Sequence, residues 1–503
     1  MARRWLWVLG AWLAACSGGP VETPSTLIDA GEIADAGRDA GRRDAGGADD
    51  AGSPDGGARD AGPRDGGPDG GARDGGPRDG GPDGGVRDGG LRDGGLRDGG
   101  PRDGGRDGGV MDATPPSGFV DTLIDDTFLQ GTDLDLVDID GDTDLDAVAS
   151  FSGTETVRLY VNGGPGVVGD GSTWTNVDVA PLNSIVASGH AEGDFDGDTR
   201  LDIVAFGAYA VGAPFMSPSR IAWYAQPTVV NGAWTENVVL TTGIYGLSAI
   251  AVGDLSGDGL PDLIVGAEPT NDENGMATGD GIFWLRNQGG GVFTAPIIID
   301  LGLSAVVQIR IADIDRDGVD DIVASGRGSN KITWYENPRT VGMTDDNPIF
   351  VAHDVVLVTE ANGFDLGQLD ADADLELVVG YDDGVGGAIA AYDPPLDPTM
   401  PWTASVIDAT LGGPTQPLRV SIADFNGDGL MDVVATSNAA ATMRVYTRLF
   451  GGGWFPQTVT SQLTGLLDVD TGDIDGDGLD DLSTVTRDLA LTRDELSWWR
   501  TQP

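Results

Sequence analysis

Aspartates at every second position of a short, glycine-bearing loop can gather carboxylate oxygens around one cation, and this sequence contains such a loop seven times. The copies read DIDGDTDLD from Asp138, DFDGDTRLD from Asp194, DLSGDGLPD from Asp254, DIDRDGVDD from Asp313, QLDADADLE from Gln368, DFNGDGLMD from Asp424 and DIDGDGLDD from Asp473. Their starts are 56, 60, 59, 55, 56 and 49 residues apart. A single copy would carry little weight, but seven at such even spacing are a repeat.

Ca²⁺ takes six to eight oxygen ligands at about 2.3–2.6 Å in a flexible geometry. Alternate side chains of a tight loop can supply carboxylates from positions 1, 3, 5 and 9, and position 7 can offer its main-chain carbonyl. The candidate ligands are Asp138, Asp140, Asp142, Asp144 and Asp146 in the first copy, and Asp194, Asp196, Asp198, Arg200 and Asp202 in the second. The third offers Asp254, Ser256, Asp258, Leu260 and Asp262, and the fourth Asp313, Asp315, Asp317, Val319 and Asp321. The fifth, the weakest because Gln368 opens it, offers Asp370, Asp372, Asp374 and Glu376. The sixth offers Asp424, Asn426, Asp428, Leu430 and Asp432, and the last Asp473, Asp475, Asp477, Leu479 and Asp481. Arg200, Leu260, Val319, Leu430 and Leu479 enter through their carbonyls, since their side chains cannot ligate a cation. Glycine at position 4 or 6 permits the tight bend.

Asp-Gly clusters also make plain turns. Four or five carboxylates crowded into each of most of these loops would repel without a cation, so up to seven Ca²⁺ sites are expected. Ca²⁺ fits this all-oxygen, flexible set better than Mg²⁺. An EF-hand would need Glu at position 12 and flanking helices. Position 12 holds Ala149, Ala205, Val265, Ala324, Val379, Ala435 and Thr484.

The elements that hold these loops are short. An apolar run precedes most copies, as in residues 248–252, and another follows, as in 263–266 or 322–324. Then comes a run with Trp or Tyr (221–224, 332–337), and a fourth that opens at Trp174, Trp234, Phe293, Phe350, Trp402 or Trp454. Such β-branched and aromatic runs bounded by Gly, Pro or Asn read as strands. Four strands per repeat of this length is the pattern of a propeller blade. The expected fold is all-β: a seven-bladed propeller over 118–503. The last copy has room for only two strands after it, while residues 119–124 stand ahead of the first copy without partners. Pairing them would close the ring and leave no open edge. The pattern resembles the FG-GAP and VCBS repeat family, which includes the calcium-binding blades of the integrin α-subunit head. The resemblance covers essentially the whole of 118–503 and implies a metal loop between the first and second strands of each blade.

The rest of the chain is different in kind. Arg3 and Arg4 precede an apolar run of about ten residues, too short to span a bilayer but suited to a secretory signal over 1–15. It ends in Leu13, Ala14, Ala15 and Cys16, resembling the lipobox of bacterial lipoproteins. Cys16 is the only cysteine and is the expected lipidation site, and Ser17 after it fits an outer-membrane or cell-surface destination. Residues 16–117 are rich in Asp, Gly, Arg and Pro, with almost no apolar side chains. They cannot bury enough surface to offset their ordering entropy, and they read as a disordered tether.

Residues 21–113 hold 21 acids against 12 arginines, so most of the chain's net charge of −52 belongs to the folded zone. That charge opposes nucleic-acid binding. His190 and His353 are the only histidines and read as strand residues. No G-x-S-x-G, H-E-x-x-H or phosphate loop is present, and the aromatics read as packing between blades. Taken together these features suggest a monomeric, lipid-anchored module that binds a protein or glycan rather than an enzyme. The alternatives are a propeller-type polysaccharide lyase and a structural protein of the outer membrane. The lengthened segments 208–219 and 269–281 are candidate contact loops.

Overall fold

The computed structural model describes residues 114–503, apart from 165–167, 181–184, 210–218, 242–243, 272–276, 340–347, 371, 373, 383–385, 413–417, 438–440, 462–464 and 488–493. The signal segment 1–15, Cys16, nearly all of the tether and most of segment 208–219 lie outside the described residues.

Seven four-stranded antiparallel sheets form the ring, numbered here by the loop each carries. Blade 1 consists of Gly131–Val137, Asp146–Phe151, Thr156–Asn162 and Trp174–Asp178; blade 2 of Ile185–Gly193, Asp202–Tyr209, Ser219–Ala225 and Thr235–Leu240. Blade 3 consists of Leu247–Gly253, Asp262–Ala267, Gly281–Leu285 and Ile297–Asp300; blade 4 of Val306–Ala312, Asp321–Gly326, Lys331–Glu336 and Val351–Leu357. Blade 5 consists of Gly363–Gly367, Glu376–Asp382, Gly387–Asp393 and Thr403–Gly412; blade 6 of Leu418–Ala423, Asp432–Ser437, Thr442–Arg448 and Trp454–Thr460. Blade 7 joins Leu466–Gly472, Asp481–Thr486 and Leu496–Gln502 to Gly118–Asp125, which pairs antiparallel with the third of these, Gly118 opposite Gln502. The ring is therefore closed by chain from both of its ends, which protects the edge that blade 7 would otherwise expose. Outside the blades, residues 269–281 carry a small hairpin of Thr270–Asn271 and Ala277–Thr278.

Burial explains the strand compositions. The second strand is packed on both faces by neighbouring blades, and Asp146–Phe151, Asp262–Ala267, Asp321–Gly326 and Asp432–Ser437 are buried at every residue. They therefore read as continuous apolar runs rather than alternating ones. The outer strands, such as Thr235–Leu240, are largely exposed.

Each of seven apolar clusters spans one junction between adjacent blades; the cluster of Val148, Leu159, Ile203 and Tyr224, for example, joins blades 1 and 2, and that of Leu134, Tyr160, Leu496 and Trp498 joins blades 7 and 1. Full burial of each Val, Leu or Ile contributes about 1.5–3 kcal/mol, so the blades are held chiefly by one another. The aromatics behave as expected: Trp284, Trp334, Tyr160, Tyr224, Tyr335 and Tyr446 are fully buried.

Polar pins add register to this packing. Tyr160, Tyr335 and Tyr446 each donate from a third strand to a carboxylate on the outer strand of the preceding blade: Asp125 at 2.7 Å, Asp300 at 2.8 Å and Asp408 at 2.7 Å. Arg158 and Arg444 support two of these acceptors.

Candidate metal centres

Every nine-residue loop joins the first and second strands of its blade, with position 9 as the first residue of the second strand. The loops fold around their own carboxylates. At position 1, one oxygen of Asp194 accepts the amides of Gly197 (2.8 Å) and Asp198 (2.9 Å), and the other accepts that of Thr199 (2.8 Å). Asp138, Asp254 and Asp424 accept the equivalent three amides in their own loops. At position 5, one carboxylate oxygen accepts the amide two residues on in all seven blades, as Asp317 does from Val319 at 2.9 Å.

This winding needs a left-handed backbone at positions 4 and 6. Glycine usually provides it, but Thr143 has φ +86° and Thr199 φ +74°. A β-branched residue in that region is strained. Thr199→Gly keeps the amide that bonds Asp194 and is expected to raise stability by about 1 kcal/mol, the relieved strain exceeding the added chain entropy. Chemical denaturation of the calcium-loaded variant checks this.

Position 9 is the buried foot of the loop. One oxygen of Asp321 accepts Ile314 N–H at 3.1 Å, at position 2 of the same loop, and the other accepts Asn337 N–H at 2.7 Å, just past the third strand. Asp146, Asp202, Asp432 and Asp481 repeat this pair of bonds. Burial, reinforced by the neighbouring carboxylates, pushes these groups far above the ordinary carboxylate range: Asp202, Asp321, Glu376 and Asp481 to about 7, and Asp146 and Asp432 to about 8.

Carboxylate oxygens from positions 1, 3 and 9 lie within 4.8 Å of one another in blades 1, 2 and 4 (Asp138, Asp140, Asp146; Asp194, Asp196, Asp202; Asp313, Asp315, Asp321). Blade 5, expected to be the weakest, still brings Asp370, Asp372 and Glu376 within that distance, the longer Glu376 reaching across while Gln368 bonds the Asp372 carbonyl at 3.2 Å. In blade 1, Asp142 Oδ2 and Asp144 Oδ1 are buried without a hydrogen-bond donor. Burial and adjacent carboxylates push Asp144 to about 7. Buried acceptors facing only other acceptors fit a cation and little else.

The loops are not equivalent. Arg200 turns back on Asp198, Arg286 approaches Asp258 at 3.2 Å, and Arg500 lies 2.5 Å from Asp475 and 3.3 Å from Asp477. In blades 2, 3 and 7 the protein's own guanidinium thus takes part of the charge expected to go to the ion. In blade 6, Asn426 turns its amide nitrogen to Asp428 at 3.0 Å.

Position 2 has a role absent from the sequence reading. Its carbonyl receives an amide side chain from the next blade: Gln226 on Ile139 (2.5 Å), Asn287 on Phe195 (3.0 Å), Asn337 on Leu255 (3.0 Å) and, across the closure, Asn162 on Ile474 (2.9 Å). An Asn or Gln ending the aromatic strand in four repeats was the available signal. These amides tie each metal loop to its neighbour. Asn337→Ala is expected to cost about 1–3 kcal/mol by leaving the Leu255 carbonyl without that donor, measured by urea unfolding.

His353 stacks on Trp334 with ring centres 4.6 Å apart and meets Glu336 at 2.9 Å, on an outer strand. His190 lies on the inner strand of blade 2, fully buried in the channel, where Asp133, Asp135 and Glu192 surround it.

A family model described as an FG-GAP-like repeat matches residues 194–265 and 424–483, which contain four of the seven loops. The chain is an FG-GAP-repeat propeller. No curated protein matches it by sequence. Solved structures similar to this FG-GAP-repeat propeller include an Agrocybe aegerita lectin described as recognising non-reducing terminal N-acetylglucosamine. It is 15% identical, with TM-score 0.44, over 66% of this chain and 81% of that one. The exotype rhamnogalacturonan lyase YesX is 12% identical, with TM-score 0.42, over 74% and 72%. The NanB sialidase of Streptococcus pneumoniae is 8% identical, with TM-score 0.41, over 76% and 70%. At these scores no ligand or activity transfers to the FG-GAP-repeat propeller.

Proposed function

We propose that this chain is a calcium-binding propeller, anchored by lipid on Cys16 to the outer membrane or cell surface, that binds a protein or glycan as a monomer. One observation carries the calcium part: in blades 1, 2, 4 and 5 three carboxylates, one of them the buried acid at position 9, bring oxygens within 4.8 Å of one another. Asp138, Asp140, Asp142, Asp144 and Asp146 would hold the ion in blade 1, with the corresponding residues in the other loops. The ion supplies charge compensation and fixes each turn between the first two strands. Because the next blade's amide docks on the same loop, fixing the turn also fixes the seam between blades.

The binding role is supported by the division between repeated and unrepeated residues. The repeated acids, amides and tyrosines hold the ring together, while segments 208–219 and 269–281 belong to single blades and are free to differ. The test uses the full chain in excess Ca²⁺ on a glycan array and against cell-surface extracts, beside the same protein in chelator. Calcium-dependent capture of one defined ligand supports the reading; equal capture in chelator overturns it. Release of the protein from membranes by Cys16→Ser tests the anchor separately.

A lyase reading has one observation in its favour: His190, Arg310 and Arg419 all lie on inner strands, each beside a carboxylate. Release of unsaturated products from uronate polysaccharides would establish it.

A further inference from the structure

The inner strands of blades 1 and 2 assemble a group of side chains that the loops do not account for and blade packing accounts for only in part, through Asp133, whose carboxylate accepts the backbone N–H of His190 at 3.0 Å. Asp133, Asp135 and His190 bring ligand atoms within 4.8 Å of one another. His190 Nδ1 lies 2.8 Å from Ser150 Oγ and 3.5 Å from Asp133 Oδ2. Its Nε2 faces three oxygens, none of which carries a proton when Asp135 and Glu192 are ionised: the Val148 carbonyl at 3.1 Å, Asp135 Oδ2 at 3.4 Å and Glu192 Oε1 at 3.7 Å. One proton on Nε2 can satisfy only one of them.

Glu192 is the independent sign of a missing ligand. It is 5% exposed, and its Oε1 is buried with no hydrogen-bond donor. Burial, and then Asp135, Asp133 and Asp470, hold it well above the ordinary carboxylate range. The two arginines on the inner strands make their ion pairs with other carboxylates, Arg310 at 3.7 Å from Asp365 and Arg419 at 3.5 Å from Asp468, although Arg310 also feels the charge of Asp135.

We propose that the propeller channel holds a second kind of metal site, in which His190 Nε2, Asp135 and Glu192, with Asp133 beside them, bind a divalent transition-metal ion of the Zn²⁺ class. Donors about 2.0–2.2 Å from one tetrahedral ion lie roughly 3.4 Å apart, close to the 3.4 and 3.7 Å separations found here. Ser150 Oγ can accept the proton on Nδ1 and so present the Nε2 lone pair to the ion, which is how an outer partner fixes the tautomer of a metal-bound histidine. An imidazole with two carboxylates suits Zn²⁺ and its neighbours, whereas the all-oxygen loops suit Ca²⁺. The two kinds of site are therefore separable by metal.

The chain has only two histidines, so ¹⁵N-histidine labelling reports each ring alone. The full chain, saturated with Ca²⁺, is titrated with ZnCl₂. The expected result is a stoichiometric move of the His190 nitrogen resonances while those of His353 stay in place. In Glu192→Gln, which keeps the side chain's shape, the same move is expected to need at least about tenfold more Zn²⁺. If neither imidazole responds, or only His353 does, or Glu192→Gln titrates like the parent protein, the proposal is overturned. Assigning the two rings with His353→Gln, on the outer strand, leaves the channel untouched.

Discussion

Removing calcium with a chelator is expected to lower the melting temperature by roughly 10 °C or more and to make stability depend on pH in an unusual direction. A site loaded at a hundred times its dissociation constant contributes about 2.7 kcal/mol, so four converged loops contribute on the order of 10 kcal/mol. For a folded zone of about 390 residues each kcal/mol moves the midpoint by about 1 °C. The pH effect follows from the feet of the loops. In the metal-free fold Asp202, Asp321, Glu376 and Asp481 sit at about 7, and Asp146 and Asp432 at about 8; in the unfolded chain they return to about 4.

Between those values the folded state binds more protons than the unfolded one, so metal-free stability is greatest in acid and falls as pH rises through 7 to 8. A bound cation favours the ionised form and removes this slope. Calorimetry across about pH 5 to 8, with Ca²⁺ and with EDTA, measures both effects. A midpoint indifferent to EDTA would refute the structural role of the metal.

The second large effect is expected at Asp321. Asp321→Ala leaves the buried amides of Ile314 and Asn337 without their acceptor, at about 1–3 kcal/mol each, and removes a metal ligand as well. A total of roughly 4–6 kcal/mol is expected in Ca²⁺. Asp321→Asn separates the two contributions. It keeps the shape and one acceptor but turns an amide donor toward an N–H and carries no charge for the ion. Its penalty should therefore be larger in Ca²⁺ than in EDTA, where the wild-type group, at about 7, is already partly protonated at neutrality. Equal penalties in the two conditions would show that Asp321 acts only as a hydrogen-bond acceptor. Asp317, whose Oδ1 accepts only the local Val319 amide and which is less buried, gives a smaller loss on substitution to Ala.

Much of this was legible in the chain itself. The seven loops, the four strands per blade and the pairing of residues 119–124 with the last blade follow from local signals: alternate acids, apolar runs and a count of strands. The first two are settled within a few tens of residues and the third by counting strands at the two ends of the repeat, so a linear reading reaches all three. The loop reading was coarser. It gave position 9 the same standing as positions 1, 3 and 5, whereas the fold makes it the buried foot that joins two strands. The pins of Asn162, Gln226, Asn287 and Asn337 were visible only as residues ending a strand, because the carbonyls that receive them belong to another repeat.

The sequence alone determined the architecture and the oxygen-rich chemistry of the loops, since both arise from short-range periodicity repeated seven times. The tertiary structure alone decided which carboxylates converge, which are neutralised by Arg200, Arg286 or Arg500, and what surrounds His190. The first two depend on how each loop and the strands of its blade fold in three dimensions, and the last on side chains about fifty residues apart that meet only when blades 1 and 2 pack. Ring closure also removes them from water, and that desolvation gives a buried acid such as Glu192 its need for a partner.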